Sequence, residues 1–250
     1  MPTTTTTRPP MSTSRKLALG AGLFYIATFV FSIPTLGMTN TVVHNANFVH
    51  GAGSTSGVQW AALFDMLTGL TGIGTAVMVY PVIRRYGRTN AIGFVASRTV
   101  EAALLAVSAI SLLAVYSLRH ELGATNPAGL GVAAAALVAV HKWAFVFGPG
   151  TMPAVNALCF ATVLRRSGLV PRTIPTIGVI GAPMLAISTS ITILGGWSQT
   201  SSIAMLCALP IATWELAVGV YMTVKGFKTP TVDITDDHAN VNQSTDHVFA

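Results

Sequence analysis

Apolar residues dominate the chain in six long stretches, separated by short polar or basic breaks. The stretches are 17–36, 58–83, 91–118, 143–164, 173–194 and 202–224. A bilayer core of about 30 Å takes about 20 helical residues, and each stretch is that long. The pattern predicts an all-α, polytopic membrane bundle of six transmembrane spans. The fourth stretch is less regular, because apolar sequence already begins at Leu130. One helix from Leu130 to Leu164 would be about 52 Å long, which requires strong tilt. His141 and Lys142 interrupt the run. They predict a lipid-surface or re-entrant helix over 130–140 and a span that starts at Trp143. Gly148-Pro149-Gly150 would then break that span from within.

Residues 1–14, rich in Thr, Pro and Ser, read as a disordered tail, and residues 15–228 as the membrane domain. The polar stretch 229–250, with Asp233, Asp236, Asp237 and Asp246, reads as a second disordered tail. The loop from Met38 to Gly57, with His44, His50 and several glycines, is expected to be flexible and solvated. Arg15-Lys16 ahead of the first stretch resemble a signal-peptide start. The 20-residue apolar run without an Ala-x-Ala end favours a retained anchor.

Composition strengthens this picture. Charged residues make up 9% of the 250 and hydrophobic ones 52%, and mean hydropathy is +0.63. So few charges cannot cover a soluble surface, where about 25% is usual. The net charge of +6 lies in clusters between spans, which is a topology signal and excludes a nucleic-acid groove. Eleven of the 14 basic residues fall on one side, in the two tails and in the loops after spans two and four; Arg119 stands alone on the other. Both termini are therefore expected in the cytoplasm, with the protein in the cell membrane. Cys159 and Cys207 lie in apolar runs with neither disulfide nor metal spacing, and no metal or cofactor is expected.

Ionisable residues inside spans are costly, so each is a functional candidate. Arg98 and Glu101 in span three and Glu215 in span six fall at similar depth near the midplane. One cation against two carboxylates leaves a surplus acid, suited to a proton or a cationic ligand; a plain structural ion pair is the competing reading. Asp65 lies nearer the outer face, where His141 or Lys142 could meet it in a second cluster, with Lys142 alternatively reaching up to the headgroups. Gly148, Pro149, Gly150 and Asn156 form a third candidate. A broken helix frees carbonyls for a ligand, or for neighbouring side chains in an ordinary kink. The pairs Ala18 and Gly22, Thr68 and Gly72, and Gly178 and Ala182 allow close helix approach, within the bundle or in a homo-oligomer.

Three local patterns, in order along the chain, are Arg98-Thr99-Val100-Glu101, Arg166-Ser167-Gly168-Leu169-Val170-Pro171-Arg172, and Glu215 followed by Val224-Lys225-Gly226-Phe227. With Gly148-Pro149-Gly150 and Asn156, they resemble a family of bacterial six-span membrane proteins known as domain of unknown function 4386. The resemblance covers roughly residues 15 to 228. It implies the architecture and no activity.

Three function classes follow from the residues. A small carrier with a polar, proton-coupled midplane site would explain the buried charges and the broken span. A sensor or accessory subunit would work through a membrane-protein partner. An intramembrane enzyme is disfavoured: no His-Glu-x-x-His is present and no nucleophile is evident beside His141. The expected partners are the lipid bilayer and a small solute or another membrane protein.

Overall fold

The computed structural model describes residues 11–121 and 127–228. All regular structure among them is helical. Eight α-helices follow one another: α1 Thr13–Met38, α2 Asn40–His44, α3 Ser56–Ile83, α4 Arg88–Glu121, α5 Pro127–Phe147, α6 Met152–Ser167, α7 Thr173–Ile193 and α8 Ser202–Val224. A 3-10 turn spans Phe48–His50. Six segments are long and apolar enough to cross a membrane, α5 and α6 counting together as one. Most predicted span ends lie within a few residues of the helix ends. Ser12 caps α1, its hydroxyl accepting from Arg15 N at 3.3 Å, so the helix starts inside the stretch expected to be a tail. Residues 1–10 and 229–250 of the expected tails lie outside the described residues.

The spans form a closed ring in chain order. α1 packs on α3, α3 on α4, α4 on both α5 and α6, α6 on α7, α7 on α8, and α8 returns to α1. Without water between helices, such contacts depend on close packing, and the small-residue pairs provide it within the chain. A Cβ on Gly22 would lie 2.6 Å from the Gly219 carbonyl oxygen on α8, and one on Gly178 would lie 2.7 Å from the Trp214 ring. A Cβ on Gly69 would lie 3.2 Å from Ala102 Cα, bringing α3 against α4.

Both ends of the described chain sit at one end of the bundle. Arg15 donates to the last carbonyls of α8, those of Met222, Thr223 and Val224, at 2.9, 2.7 and 3.1 Å. α8 has no basic residue in its own last turn, so the N-terminal helix supplies the cation its carbonyls require.

Two expectations are corrected. α5 runs without interruption through His141 and Lys142, so 130–140 is neither a separate surface helix nor a re-entrant one. Alanines and valines continue the helix there, and burial of His141 against α4 removes the reason for a break. The helix stops instead at Gly148–Thr151, and α5 and α6 together run antiparallel along all of α4. Second, 38–57 is folded, although His44 and His50 are exposed as expected. Val42, Phe48 and Val49 are buried against Val58, Leu112, Val115, Leu130 and Ala134, capping the end remote from the termini. Arg119 holds this cap by donating to the carbonyls of Gly51 and Ala52, with its guanidinium 4.7 Å from the Phe48 ring centre. That gives the lone basic residue of the remote end a structural role. Gly51 and Gly53 have φ of 108° and 82°, which side-chain-bearing residues rarely adopt.

Candidate functional site

α4 carries the chemistry on one buried stripe. Ser97, Glu101 and Ser108 are spaced by four and seven residues, so they share a face, with Arg98 beside them. The ring places this stripe opposite α8 and beside α1, α3 and the α5–α6 span.

The centre is built on Arg98, which is 2% exposed. Its Nη1 donates to Glu101 Oε2 at 3.0 Å, and its Nη2 donates to Glu215 Oε1 across the ring. One guanidinium therefore bridges both carboxylates, where one pair and one separate acid were expected. A planar fork with several donors can do this; an ammonium could not in the same geometry. Asn156, 1% exposed, donates from Nδ2 to Glu101 Oε2 at 2.7 Å and accepts at Oδ1 from the Ser97 hydroxyl. Among the described residues Glu101 thus receives two side-chain donors, and Glu215 receives Arg98 alone. Gly72 of α3 lies beside the arginine: a Cβ there would be in ordinary contact with it, 3.7 Å from Arg98 Cδ.

Aromatic rings close the centre toward the end that carries the termini. Phe94 and Phe160 stack with centroids 4.7 Å apart; Tyr25 and Trp214 lie 6.4 and 5.9 Å from Phe160. Arg98 also lies over the rings of Tyr25 and Phe94, at 5.2 and 5.7 Å. Such contacts favour a buried cation.

Several carbonyls freed at the break in span four find donors within the bundle. Thr151 donates to Val146 O at 2.8 Å, and Thr189 of α7 donates to Gly150 O, also at 2.8 Å. Gly150 N reaches back to Phe145 O at 2.9 Å. The Val146 and Gly150 carbonyls at the kink are thus taken by threonine hydroxyls, whereas Asn156, just beyond it, joins the central site.

A second cluster lies two turns along α4 from Glu101. The Ser108 hydroxyl, fully buried, is 2.8 Å from His141 Nδ1 and 3.3 Å from Asp65 Oδ2. Asp65 and His141 are 2% and 6% exposed. Lys142 is exposed and forms no salt bridge here; the only salt bridges among the described residues are the two at Arg98.

Three participants escaped the reading of the sequence: Ser97, Ser108 and Tyr25. The two serines could have been found from their spacing to Glu101. Tyr25 carries no such signal, because its place depends on α1 closing the ring. No group of three His, Cys, Asp or Glu residues able to hold a metal occurs among the described residues.

A helical membrane bundle whose buried centre holds three linked charges defines the class. Residues 20–226 match the family described as Domain of unknown function (DUF4386), and the chain belongs to that family. Comparison with curated proteins and with solved structures returns no match.

Proposed function

We propose that the protein is a small carrier whose central site exchanges a proton for a cationic solute, with Glu215 as the exchanging group. The observation that carries this reading is the unequal holding of two carboxylates on one cation. Arg98 balances one negative charge. Glu101 is fixed by Arg98 and Asn156 together, while Glu215 has one partner. In a bilayer interior the second negative charge must be met by a proton or another cation. The less firmly held acid is the one that can trade between them.

The test is proton release from purified protein in weakly buffered detergent, followed with a pH dye. Inorganic monovalent cations, tetraalkylammonium ions and polyamines would be added in turn. The expected result is release of about one proton per chain by at least one of these, by linkage between cation and proton binding. Glu215→Gln should abolish the release and keep a cooperative melt. No release from the wild type with any member, or full release from Glu215→Gln, would overturn the carrier reading in favour of an accessory subunit built on a structural ion network.

The end where α1 begins and α8 ends is assigned to the cytoplasmic side of a cell membrane, because 11 of the 14 basic residues fall, in sequence, before the first span, after spans two and four, and after the last. A cysteine introduced between Arg84 and Arg88 should stay unlabelled by an impermeant maleimide applied to intact cells. One introduced at Ser54 should label.

A further inference from the structure

We propose that Asp65, Ser108 and His141 form a second proton-carrying site, a relay in which the Ser108 hydroxyl passes a proton between the Asp65 carboxyl and His141 Nδ1. The geometry supplies the argument. Ser108 Oγ is the shared neighbour of both groups, at 3.3 and 2.8 Å, and it has a single hydrogen to give. Two hydrogen-bond orders are therefore available. In one, Asp65 is protonated and donates to Ser108, which donates to an unprotonated Nδ1. In the other, Nδ1–H donates to Ser108, which donates to the Asp65 carboxylate. Passing from the first to the second breaks one O–H bond at Asp65 and one at Ser108. It forms one O–H bond at Ser108 and one N–H bond at His141. No atom or electron is left over.

The serine stands between the other two, so the arrangement is not that of a nucleophilic triad, where the histidine must be in the middle. Nor is it a salt-bridged pair. Among the described residues no Lys or Arg bonds Asp65. Of the other charged groups on neighbouring elements, Lys142 acts on His141 by charge alone, and the rest are remote. α4 presents Ser108 here, with Glu101 and Arg98 two or more turns away. α5 presents His141, and its neighbour Lys142 is exposed. On α1 the titratable Tyr25 lies at the level of Arg98. His50 lies near Gly131, almost three turns along α5 from His141. The polar line continues one turn along α3 to Thr68, whose buried hydroxyl has no hydrogen-bond partner among the described residues, and then to Gly72 beside Arg98. The relay is thus set on the side of the bundle that leads toward the central site.

The test reads the relay itself and needs no solute. Full-length protein labelled with 15N-histidine would be titrated in lipid nanodiscs, with the His141 resonances assigned by their loss in His141→Gln. Asp65→Asn is expected to move the His141 titration midpoint by about one pH unit or to switch its tautomer, because the group at the far end of the relay has changed. In a Ser108→Ala background the same change should leave His141 where it was. An unmoved His141 in Asp65→Asn, or an equal shift with and without Ser108, would overturn the relay. Should Asp65→Asn fail to fold, the infrared carboxyl stretch of Asp65 serves instead. It should shift in His141→Gln when Ser108 is present and stay fixed in Ser108→Ala; a shift in both would refute the link. None of these outcomes bears on proton release at Glu215, so the two readings can fail separately.

Discussion

Arg98→Met is expected to destabilise the protein by about 3 to 5 kcal/mol, measured by reversible unfolding in mixed micelles. The substitution keeps much of the side chain's volume and removes the one cation of the central site. Glu101 and Glu215 would then face each other inside the bundle without the guanidinium that bridges them. Asn156 would still donate to Glu101, a partial compensation. The cost arises from stranding charges, so it should shrink when the charges go too. Arg98→Met combined with Glu101→Gln and Glu215→Gln should recover most of the loss, since replacing a whole buried ion cluster is often close to neutral. Arg98→Lys should fall in between, because an ammonium lacks the two separated nitrogens that reach α4 and α8 at once. A loss below about 1 kcal/mol in Arg98→Met would show that the carboxylates do not depend on the arginine.

Gly22→Val is expected to have a comparable or larger effect, by a different route. Gly22 sits where the first span closes the ring onto the last. A Cβ there would lie 2.3 Å from Thr223 Oγ1 and 2.6 Å from both Gly219 O and Thr223 N. The side-chain oxygen could move aside; the two backbone atoms cannot without parting α1 from α8. Overpacking of this kind costs about 1 to 3 kcal/mol for an added methyl, and valine adds two more carbons. Gly22→Ala should therefore lower the melting temperature clearly, and Gly22→Val should leave little monodisperse protein on size-exclusion chromatography. Gly37→Ala is the control, since a Cβ there meets nothing within 4 Å. Parting α1 from α8 would also lift Tyr25 from Arg98, tying the seam to the site.

The limits of the linear reading show at particular residues. Arg98 and Glu101 could be paired in advance, because three residues along a helix bring side chains together. Glu215 could be placed at their depth by counting, since rise per residue is constant. That a single guanidinium would hold both acids could not be counted. It depends on the ring closing so that α8 faces α4. His141 shows the reverse failure. Next to Lys142 it looked like the end of a helix, because two polar residues in an apolar run usually mark an interface. Ser108 on α4 gives its ring a buried partner, and the helix continues. Gly148-Pro149-Gly150 was correctly placed as a break, because proline and glycine act locally. That the Gly150 carbonyl is taken by the Thr189 hydroxyl, 39 positions away, has no local signal.

What the sequence determined by itself is therefore what depends on local composition and constant helical rise. This covers the all-helical class, the six membrane-length helical segments, the common level of Arg98, Glu101 and Glu215, and the kink in the fourth segment. The tertiary structure alone decided which of those charges share a partner. It also folded 38–57 into a cap, carried α5 through His141, and placed Ser108 between Asp65 and His141. Each of these rests on side chains from helices distant in sequence meeting at hydrogen-bond range, and that range is set by how closely small residues let the helices approach.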